Sequence, residues 1–312
     1  MGECRSREEV LQRLAAALPS IAEGSWLCAV HYDQTRFADG MHLTRDELDG
    51  ISADVPIFVR HVNGHAAVAN SAALSRAGVD ERTPDPKGGT YVRDEAGRPN
   101  GVLLETALGC VDEAAPLPTL DQMVEAILLA GDKMAENGIV CAADMMTGAF
   151  DLEKEIEAYR LAAERGMRVA TRLYLHWAGV FGPRATPAER LRELIGGLDG
   201  ERCRVAGVKI FADGAIGSAT AAIYGEFTGG GSGQLIYTPE RLTKMVRTAD
   251  DAGWQIAIHS IGDRSTDLVM DAYERLDQPA RHRIEHVMML SDGQIERLAK
   301  LGCHCTMQPE FL

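Results

Sequence analysis

The residues best suited to chemistry lie at the ends of successive apolar runs in the second half of the chain. Lys209 lies near the end of the run 205–211 and is followed by Asp213, while His259 closes the run 255–259 and His286 lies at the end of 282–287. A buried ammonium without a partner is costly, so Lys209 needs a carboxylate, a covalent modification or a reactive role. Lysine and two histidines at neighbouring run ends therefore favour a functional site.

These runs belong to a regular alternation of predicted strands and helices that starts near residue 120. Strands are predicted over 139–143, 168–175, 205–211, 255–259, 282–287 and 303–307. Helices are predicted over 120–136, 152–165, 187–196, 239–252, 265–276 and 291–300. Such alternation is typical of parallel βαβ units, whose strands end at one edge of the sheet. A doubly wound sheet and a (β/α)8 barrel both fit, but the lack of an early G-x-G-x-x-G weakens the dinucleotide-binding version.

The first third of the chain has a different texture. Residues 6–23 have apolar positions at helical spacing, and 26–118 are rich in Gly, Pro, Asp and Asn with short apolar runs. We expect a helix followed by a compact, loop-rich subdomain with short strands. The segment 229–233 is glycine-rich but lacks the Lys-Ser/Thr ending of a phosphate loop, which favours a flexible loop.

Charge and cysteine content narrow the partners and the compartment. The 312 residues include 32 Lys+Arg and 46 Asp+Glu, a net charge of −14, which argues against binding to nucleic acid or to an anionic membrane. No apolar run approaches the roughly 18 residues that span a bilayer. The chain start lacks an apolar signal core, and the 7 cysteines include no CxxC pair, so we expect a cytoplasmic protein that acts on small molecules. Cys303-His304-Cys305 is interpreted as part of a core strand in preference to a metal site.

Six ordered motifs carry a resemblance to a known family. They are Asn63-Gly64-His65 with 70–74 and 77–78; 83–86 with 88–89 and 97–105; 208–214 with Thr220-Ala221; 259–263; 281–286; and Gln308-Pro309. Together they make the sequence resemble the amidohydrolase superfamily, in particular the YtcJ-like and N-substituted formamide deformylase-like hydrolases of amidohydrolase family 3. The resemblance covers the chain from about residue 6 to its end.

The resemblance implies a (β/α)8 TIM barrel that holds one or two divalent metals, usually zinc. By position, Lys209 would carry a CO2-derived carbamate that bridges the metals, and His259 and His286 would bind the second metal. The anionic carbamate would also resolve the cost of burying Lys209. A water activated by the metal would attack a carbonyl carbon and cleave the C–N bond of an amide, a formamide or a cyclic amide.

The sequence departs from this family at three elements. It has no His-x-His of the first barrel strand, it stops before the eighth strand with its acid/base Asp, and it lacks the family's β-sandwich. We therefore expect an incomplete barrel: a leader helix over 1–25, an inserted substrate-side subdomain over 26–118, and strands two to seven over 119–312. The catalytic acid/base stays unknown. An alternative to the incomplete barrel is that His61 and His65 replace the missing His-x-His pair, which their spacing of four residues favours less.

This incompleteness leaves other functions open. The chain could be a catalytically incomplete fragment or a small-molecule-binding remnant, and Lys209 could instead form a Schiff base in an aldolase-like lyase. An open barrel edge would favour a homo-oligomer.

Four further residues are expected to contact the substrate. They are His65, Asn70, Glu105 and Asp213. For His65 and Asn70 the alternative is a set of local hydrogen bonds that stabilises the loop, and Glu105 could approach the metal as a ligand or acid/base. Glu285 alternates with His286 along its strand, so we expect its side chain to point away from that of His286.

Overall fold

The computed structural model describes residues 1–183 and 185–308, and their contacts group them into two compact units. The first unit is Met1–Pro116 together with Gly214–Thr220. The second unit is Leu117–Asp213 together with the chain from Ala221 onward. No helix within the described ranges combines the length and the apolar character needed to cross a membrane.

The first unit is built on a mixed five-stranded sheet. Its helices are α1 (Arg7–Ala17), α2 (Arg45–Asp49), α3 (Ser71–Arg76) and α4 (Leu108–Ala114). Its strands are β1 (Leu27–Tyr32), β2 (Ile57–His61), β3 (Ala66–Ala69), β4 (Gly89–Arg93) and β5 (Pro99–Glu105). The strand order is β1-β2-β3-β5-β4, in which β1 and β2 are parallel and the other neighbours are antiparallel.

Helix α1 is shorter than the predicted segment 6–23. It ends at Ala17, and the next turn, which contains Pro19, is a short 3-10 helix. Proline has no N–H to continue the α-helical ladder, which accounts for the earlier end. Val10 and Leu14 of α1 are buried in one core with residues of β1 and β2. The role of this unit on the substrate side of a barrel stays a prediction.

The second unit contains a parallel six-stranded sheet, as the alternating pattern predicted. Its strands are β6 (Cys141–Thr147), β7 (Ala170–His176), β8 (Cys203–Phe211), β9 (Ile256–Ser260), β10 (Arg283–His286) and β11 (His304–Thr306). Its helices are α5 (Leu120–Glu136), α6 (Leu152–Glu164), α7 (Trp177–Phe181), α8 (Ala188–Gly196), α9 (Pro239–Asp251), α10 (Asp263–Tyr273) and α11 (Asp292–Leu301). The strands are neighbours in chain order, and every neighbouring pair is parallel.

The predicted α/β class is thus confirmed, whereas a closed eight-stranded barrel is not. Within the described ranges, the sheet ends at β6 on one side and at β11 on the other. Alternate residues of β8, β9 and β10, among them Val208, Ile258 and Ile284, pack in a core with α9, α10 and α11. Because strand side chains alternate between faces, Lys209 and His259 lie on the face opposite these helices.

Candidate active site

The ends of β7, β8 and β9 bring polar and aromatic side chains to one face of the sheet. His176 lies opposite Lys209, and Phe211 lies opposite His259 in the strand register. The Lys209 side chain is almost fully buried, with 2% of its surface exposed, and its Nζ lies 4.7 Å from the centre of the Phe211 ring. The Phe211 ring lies 5.3 Å from the His259 ring. Phe211 therefore joins the two predicted ligands into one cluster.

The third predicted ligand, His286, reaches the same cluster through an unusual backbone conformation. Its φ of 82° lies in the left-handed region, which non-glycine residues rarely adopt. Its ring packs edge-on against the His259 ring at a centroid distance of 4.6 Å. Strict alternation predicted that Glu285 and His286 point to opposite faces of the sheet. Glu285 lies opposite His259 in the register, and the His286 ring also contacts the His259 ring. Both residues therefore lie beside His259.

Asp213 stabilises the loops around His259. Its carboxylate is fully buried and accepts hydrogen bonds of 2.7–3.0 Å from the N–H groups of Ala222, Ile261 and Gly262 and from the Ser265 hydroxyl. Its Oδ1 also lies 3.5 Å from His259 Nε2. Burial raises the pKa of Asp213, and these hydrogen bonds oppose the rise. The Asp213 carboxylate thus holds together loops of the protein itself. Its contact with substrate stays a prediction, and these hydrogen bonds do not favour it.

A charged pair that the sequence analysis did not identify lies on the same face as Lys209. Glu285 accepts hydrogen bonds from Arg283 at 2.7 and 3.1 Å, and Arg283 also donates to the Tyr174 hydroxyl at 3.2 Å. Burial lowers the pKa of Lys209 to about 8, and the negative charge of Glu285 opposes this shift. Arginine and glutamate two residues apart in a strand share a face, and that spacing was the available signal.

Gln308, from the last of the six motifs, contacts the predicted ligand His286. Its Oε1 lies 2.8 Å from His286 Nδ1. Metal-binding histidines commonly donate their second ring N–H to an oxygen acceptor, which fixes the ring orientation. Pro309 of the same motif lies outside the described residues.

The donor set fits a divalent metal only in part. Within residues 1–183 and 185–308, no group of three or more His, Cys, Asp or Glu side chains is arranged to hold a metal ion. Two adjacent imidazoles, His259 and His286, supply neutral nitrogen donors of the type that zinc prefers. Lys209 would complete a three-donor set after carboxylation, because a carbamate has two oxygens that share one negative charge. The residues present therefore fit a divalent metal if Lys209 is carboxylated.

In the first unit, the Asn70 side chain is fully buried and makes four hydrogen bonds within the protein. It accepts from the N–H groups of Ile57 and Ala73, both at 2.9 Å, and donates to the carbonyls of Ser52 and Val55 at 2.8 and 2.9 Å. Asn70 is also the N-cap of α3. These contacts favour the alternative in which Asn70 stabilises the loop, and its substrate contact stays a prediction.

His65 and Glu105, by contrast, contact each other directly. His65 Nδ1 lies 2.8 Å from Glu105 Oε2, and the other Glu105 oxygen accepts a hydrogen bond from the Thr220 hydroxyl. His61 has different partners: its Nδ1 accepts from the Asn63 N–H, and its Nε2 lies 3.7 Å from Asp33. In the described part of the chain, His61 and His65 are not joined in a common metal-ligand group.

Comparison with known proteins identifies the family. A family model described as the amidohydrolase family matches residues 1–312. The chain belongs to the amidohydrolase family. This confirms the family expected from the six motifs, and with it an amidohydrolase-type α/β fold and a relationship to metal-dependent hydrolases.

Individual relatives of this amidohydrolase cover nearly all of the chain. It is 31% identical over 98% of its length to the protein LONG AFTER FAR-RED 3 of Arabidopsis thaliana, 54% of which is covered. It is 28% identical over 97% of its length to the N-substituted formamide deformylase of Arthrobacter pascens, 57% of which is covered. A solved structure of an uncharacterized metal-dependent hydrolase from Pyrococcus horikoshii OT3 matches 99% of this chain and 58% of its own, with 27% identity and a TM-score of 0.66. The chain thus spans a little over half the length of these relatives.

Proposed function

We propose that this amidohydrolase chain holds the metal site of a hydrolase that cleaves C–N bonds other than peptide bonds. The observation that carries the proposal is the cluster of Lys209, His259 and His286 at the ends of adjacent parallel strands. The substrate class would be an amide, a formamide or a cyclic amide, and the relative named N-substituted formamide deformylase supports this range.

The proposed cofactor is one or two divalent metal ions, with zinc favoured by the imidazole donors. Lys209 would contribute as a carbamate: the lone pair of its neutral amine forms an N–C bond to CO2, one C=O π bond breaks so that its electron pair becomes the negative charge of the carboxylate, and the nitrogen loses a proton to water. The lowered pKa of Lys209, about 8, increases the share of neutral amine near neutral pH. When bound, the metal would supply a water with a pKa lowered towards 7 and would polarise the substrate carbonyl.

The residues around the ligands would fix their orientation. Asp213 is anchored by four protein hydrogen bonds and faces His259, while Gln308 contacts Nδ1 of His286. Rigid strand ends suit a metal site because short Zn–N bonds tolerate little displacement. We assign no residue as the acid that protonates the leaving amine.

Metal content tests the ligand assignment directly. The protein, refolded or expressed with zinc and bicarbonate, is compared with Lys209→Ala, His259→Ala and His286→Ala by elemental mass spectrometry. We expect the wild type to retain metal and each variant to lose most of it, with the exposed His304→Ala as the matched control. Unchanged metal in all three variants would show that the site assignment is wrong.

Carboxylation of Lys209 has a separate readout. After incubation with 13C-bicarbonate, we expect a carbamate carbonyl resonance in the wild type that is missing in Lys209→Ala. If borohydride instead traps a carbonyl compound on Lys209 without metal, the Schiff-base alternative replaces this proposal.

A second candidate is a catalytically incomplete, small-molecule-binding chain. It is favoured by the donor set of the described ranges, in which no three His, Cys, Asp or Glu side chains are arranged to hold a metal ion. The two candidates separate when hydrolysis by this chain is compared with hydrolysis by a version extended at both ends. Much lower turnover by the 312-residue chain favours the second candidate, and equal turnover favours the first.

We also propose a cytoplasmic location, a small-molecule partner and self-association, with no binding to nucleic acid or membrane. The free cysteines among the described residues support the cytoplasmic location, and the net charge of −14 supports a small-molecule partner. Self-association is supported by apolar exposure near the outer strand β6, where Val140 is 78% and Met146 is 47% exposed. Light scattering after size-exclusion chromatography tests it, and a strictly monomeric mass at all concentrations would contradict it.

A further inference from the structure

We propose that the turn 61–65 and the loop 214–220, both in the first unit, form a binding site for a neutral carbonyl oxygen. The donor is Asn63 Nδ2, and Glu105 and Thr220 are positioning residues that fix the loop. This deepens the proposed function, and it rests on that function only for the identification of the ligand as the substrate.

The Asn63 side chain presents a donor that the protein leaves unused. Its Nδ2 is buried and has no hydrogen-bond partner among the described residues. The amide orientation is fixed because Oδ1 accepts a 2.9 Å hydrogen bond from the His65 N–H, so a flipped amide would oppose two donors. A buried donor without a partner is costly, and a ligand oxygen would remove that cost.

The unused donor faces the loop 214–220. At Gly217, a Cβ atom would have Asn63 Nδ2 as its neighbour at 3.6 Å. A hydrogen bond of 3.1 Å from the Asn63 N–H to His61 Nδ1 stabilises the backbone of the turn 61–65. Because Gly217 has no side chain, a residue with a Cβ at this position would be in van der Waals contact with the donor.

A chain of hydrogen bonds fixes this loop to the end of β5. The Ser218 and Thr220 hydroxyl oxygens lie 2.7 Å apart, Thr220 donates to Glu105, and Glu105 Oε2 lies 2.8 Å from His65 Nδ1. Because a carboxylate only accepts, His65 carries its proton on Nδ1 in this arrangement. The loop 214–220 is thus connected through Glu105 to His65, which lies two positions after Asn63.

Two backbone features show that this arrangement is demanding. Glu105 has a φ of 53°, a left-handed conformation that a non-glycine residue adopts at a cost. A side chain at Gly214 would overlap both Thr220 and Glu105, so the loop begins where only glycine fits. Such strain persists when surrounding contacts require it, and it is common at ligand sites.

The charges favour a neutral ligand over an anion. The donor is an uncharged amide, and the Glu105 carboxylate belongs to the hydrogen-bond chain that holds the loop. An anionic ligand would be repelled by this carboxylate, whereas a carbonyl oxygen carries only a partial charge. An amide or formamide carbonyl, the chemistry of the proposed substrates, meets this condition.

Ligand binding without turnover tests the site. Titration of the metal-free chain with N-ethylformamide, followed by saturation-transfer NMR, gives the Kd, and propionate of similar size is the anionic probe. Asn63→Ala is expected to raise the Kd about 3- to 10-fold, the effect of one lost hydrogen bond. Asn63→Asp, which keeps the acceptor for the His65 N–H but removes the donor, is expected to do the same if Asn63→Ala is too unstable. Val62→Ala, in the same turn and 53% exposed, is the matched control and should leave the Kd unchanged.

The positioning role has its own pair of variants. Thr220→Val removes the hydroxyl at nearly constant volume and is expected to weaken binding several-fold, whereas Thr220→Ser keeps the hydroxyl and should restore it. The proposal is overturned if N-ethylformamide does not bind the wild type, if propionate binds more tightly, or if Asn63→Asp and Val62→Ala behave alike. Because these titrations need neither metal nor hydrolysis, they can succeed even if the metal assignment of Lys209 fails.

Discussion

Replacement of Lys209 by methionine should stabilise the metal-free protein at neutral pH. The side chains are similar in length, and methionine has no charge to bury. The pKa of Lys209, lowered by burial from its ordinary 10.5 to about 8, means that folding penalises its ammonium form. At pH 7, where the unfolded chain keeps this group charged, the penalty amounts to about 3 kcal/mol.

The stability difference should change with pH in a direction that a change in packing alone would not produce. Between pH 8 and 10.5 the unfolded state binds more protons at Lys209 than the folded state, so wild-type stability gains from this group as the pH rises. The stability difference between Lys209→Met and wild type should therefore shrink from about 3 kcal/mol at pH 7 to below about 1 kcal/mol at pH 10.

Urea unfolding of both proteins, in metal-free and CO2-free buffer at pH 7, 8, 9 and 10, measures this difference. The exposed Lys300→Met variant serves as the control and should differ from wild type by a small, pH-independent amount. Comparison of each variant with wild type cancels the titration of all other groups. A difference for Lys209→Met that is constant over this range, or one that grows with pH, would refute the burial of a charged Lys209.

Three further predictions concern the second unit. Arg283→Met leaves Glu285 buried without its ion partner and should lower the free energy of unfolding by about 3 kcal/mol, with partial recovery in the double variant that also has Glu285→Leu. Ser291→Ala removes the N-cap of α11 and should cost about 1 kcal/mol, measured by urea unfolding. The hydrogen bond from Cys303 lowers the pKa of Cys305 to about 7 and raises that of Cys303, so iodoacetamide should label Cys305 first. Its labelling rate, followed by mass spectrometry, should rise about tenfold between pH 6 and 8, and equal rates at the two thiols would contradict this.

Local pattern predicted the second unit well because its elements follow from periodicity and end signals. Helix α5 begins at Leu120 and ends at Glu136, as predicted, since Thr119 forms a capping box and Asn137-Gly138 stops the helix. Each of the six predicted strands is present, although their ends differ from the predicted ones by up to four residues. Strand β6 differs most: it begins at Cys141 instead of 139 and ends at Thr147 instead of 143.

Contacts between residues far apart in the chain were beyond local pattern. Tyr174 and Arg283 are separated by 109 residues, and Glu105 and Thr220 by 115, yet both pairs are hydrogen-bonded. No spacing rule links such residues, because the sheet register and the loop path bring them together. The same holds for the four protein hydrogen bonds that the Asp213 carboxylate accepts, while its substrate contact stays a prediction.

The sequence by itself therefore determined the α/β class, the parallel strands and the strand ends that carry Lys209, His259 and His286. These depend on residue type and spacing, which act over one or two turns of chain. Only the tertiary structure decided that His286 turns towards His259, since that depends on one left-handed backbone angle that a strand pattern does not predict. It also decided that the Asn70 amide makes four hydrogen bonds within the protein while Asn63 Nδ2 has no partner among the described residues, because hydrogen-bond satisfaction depends on every neighbour in space.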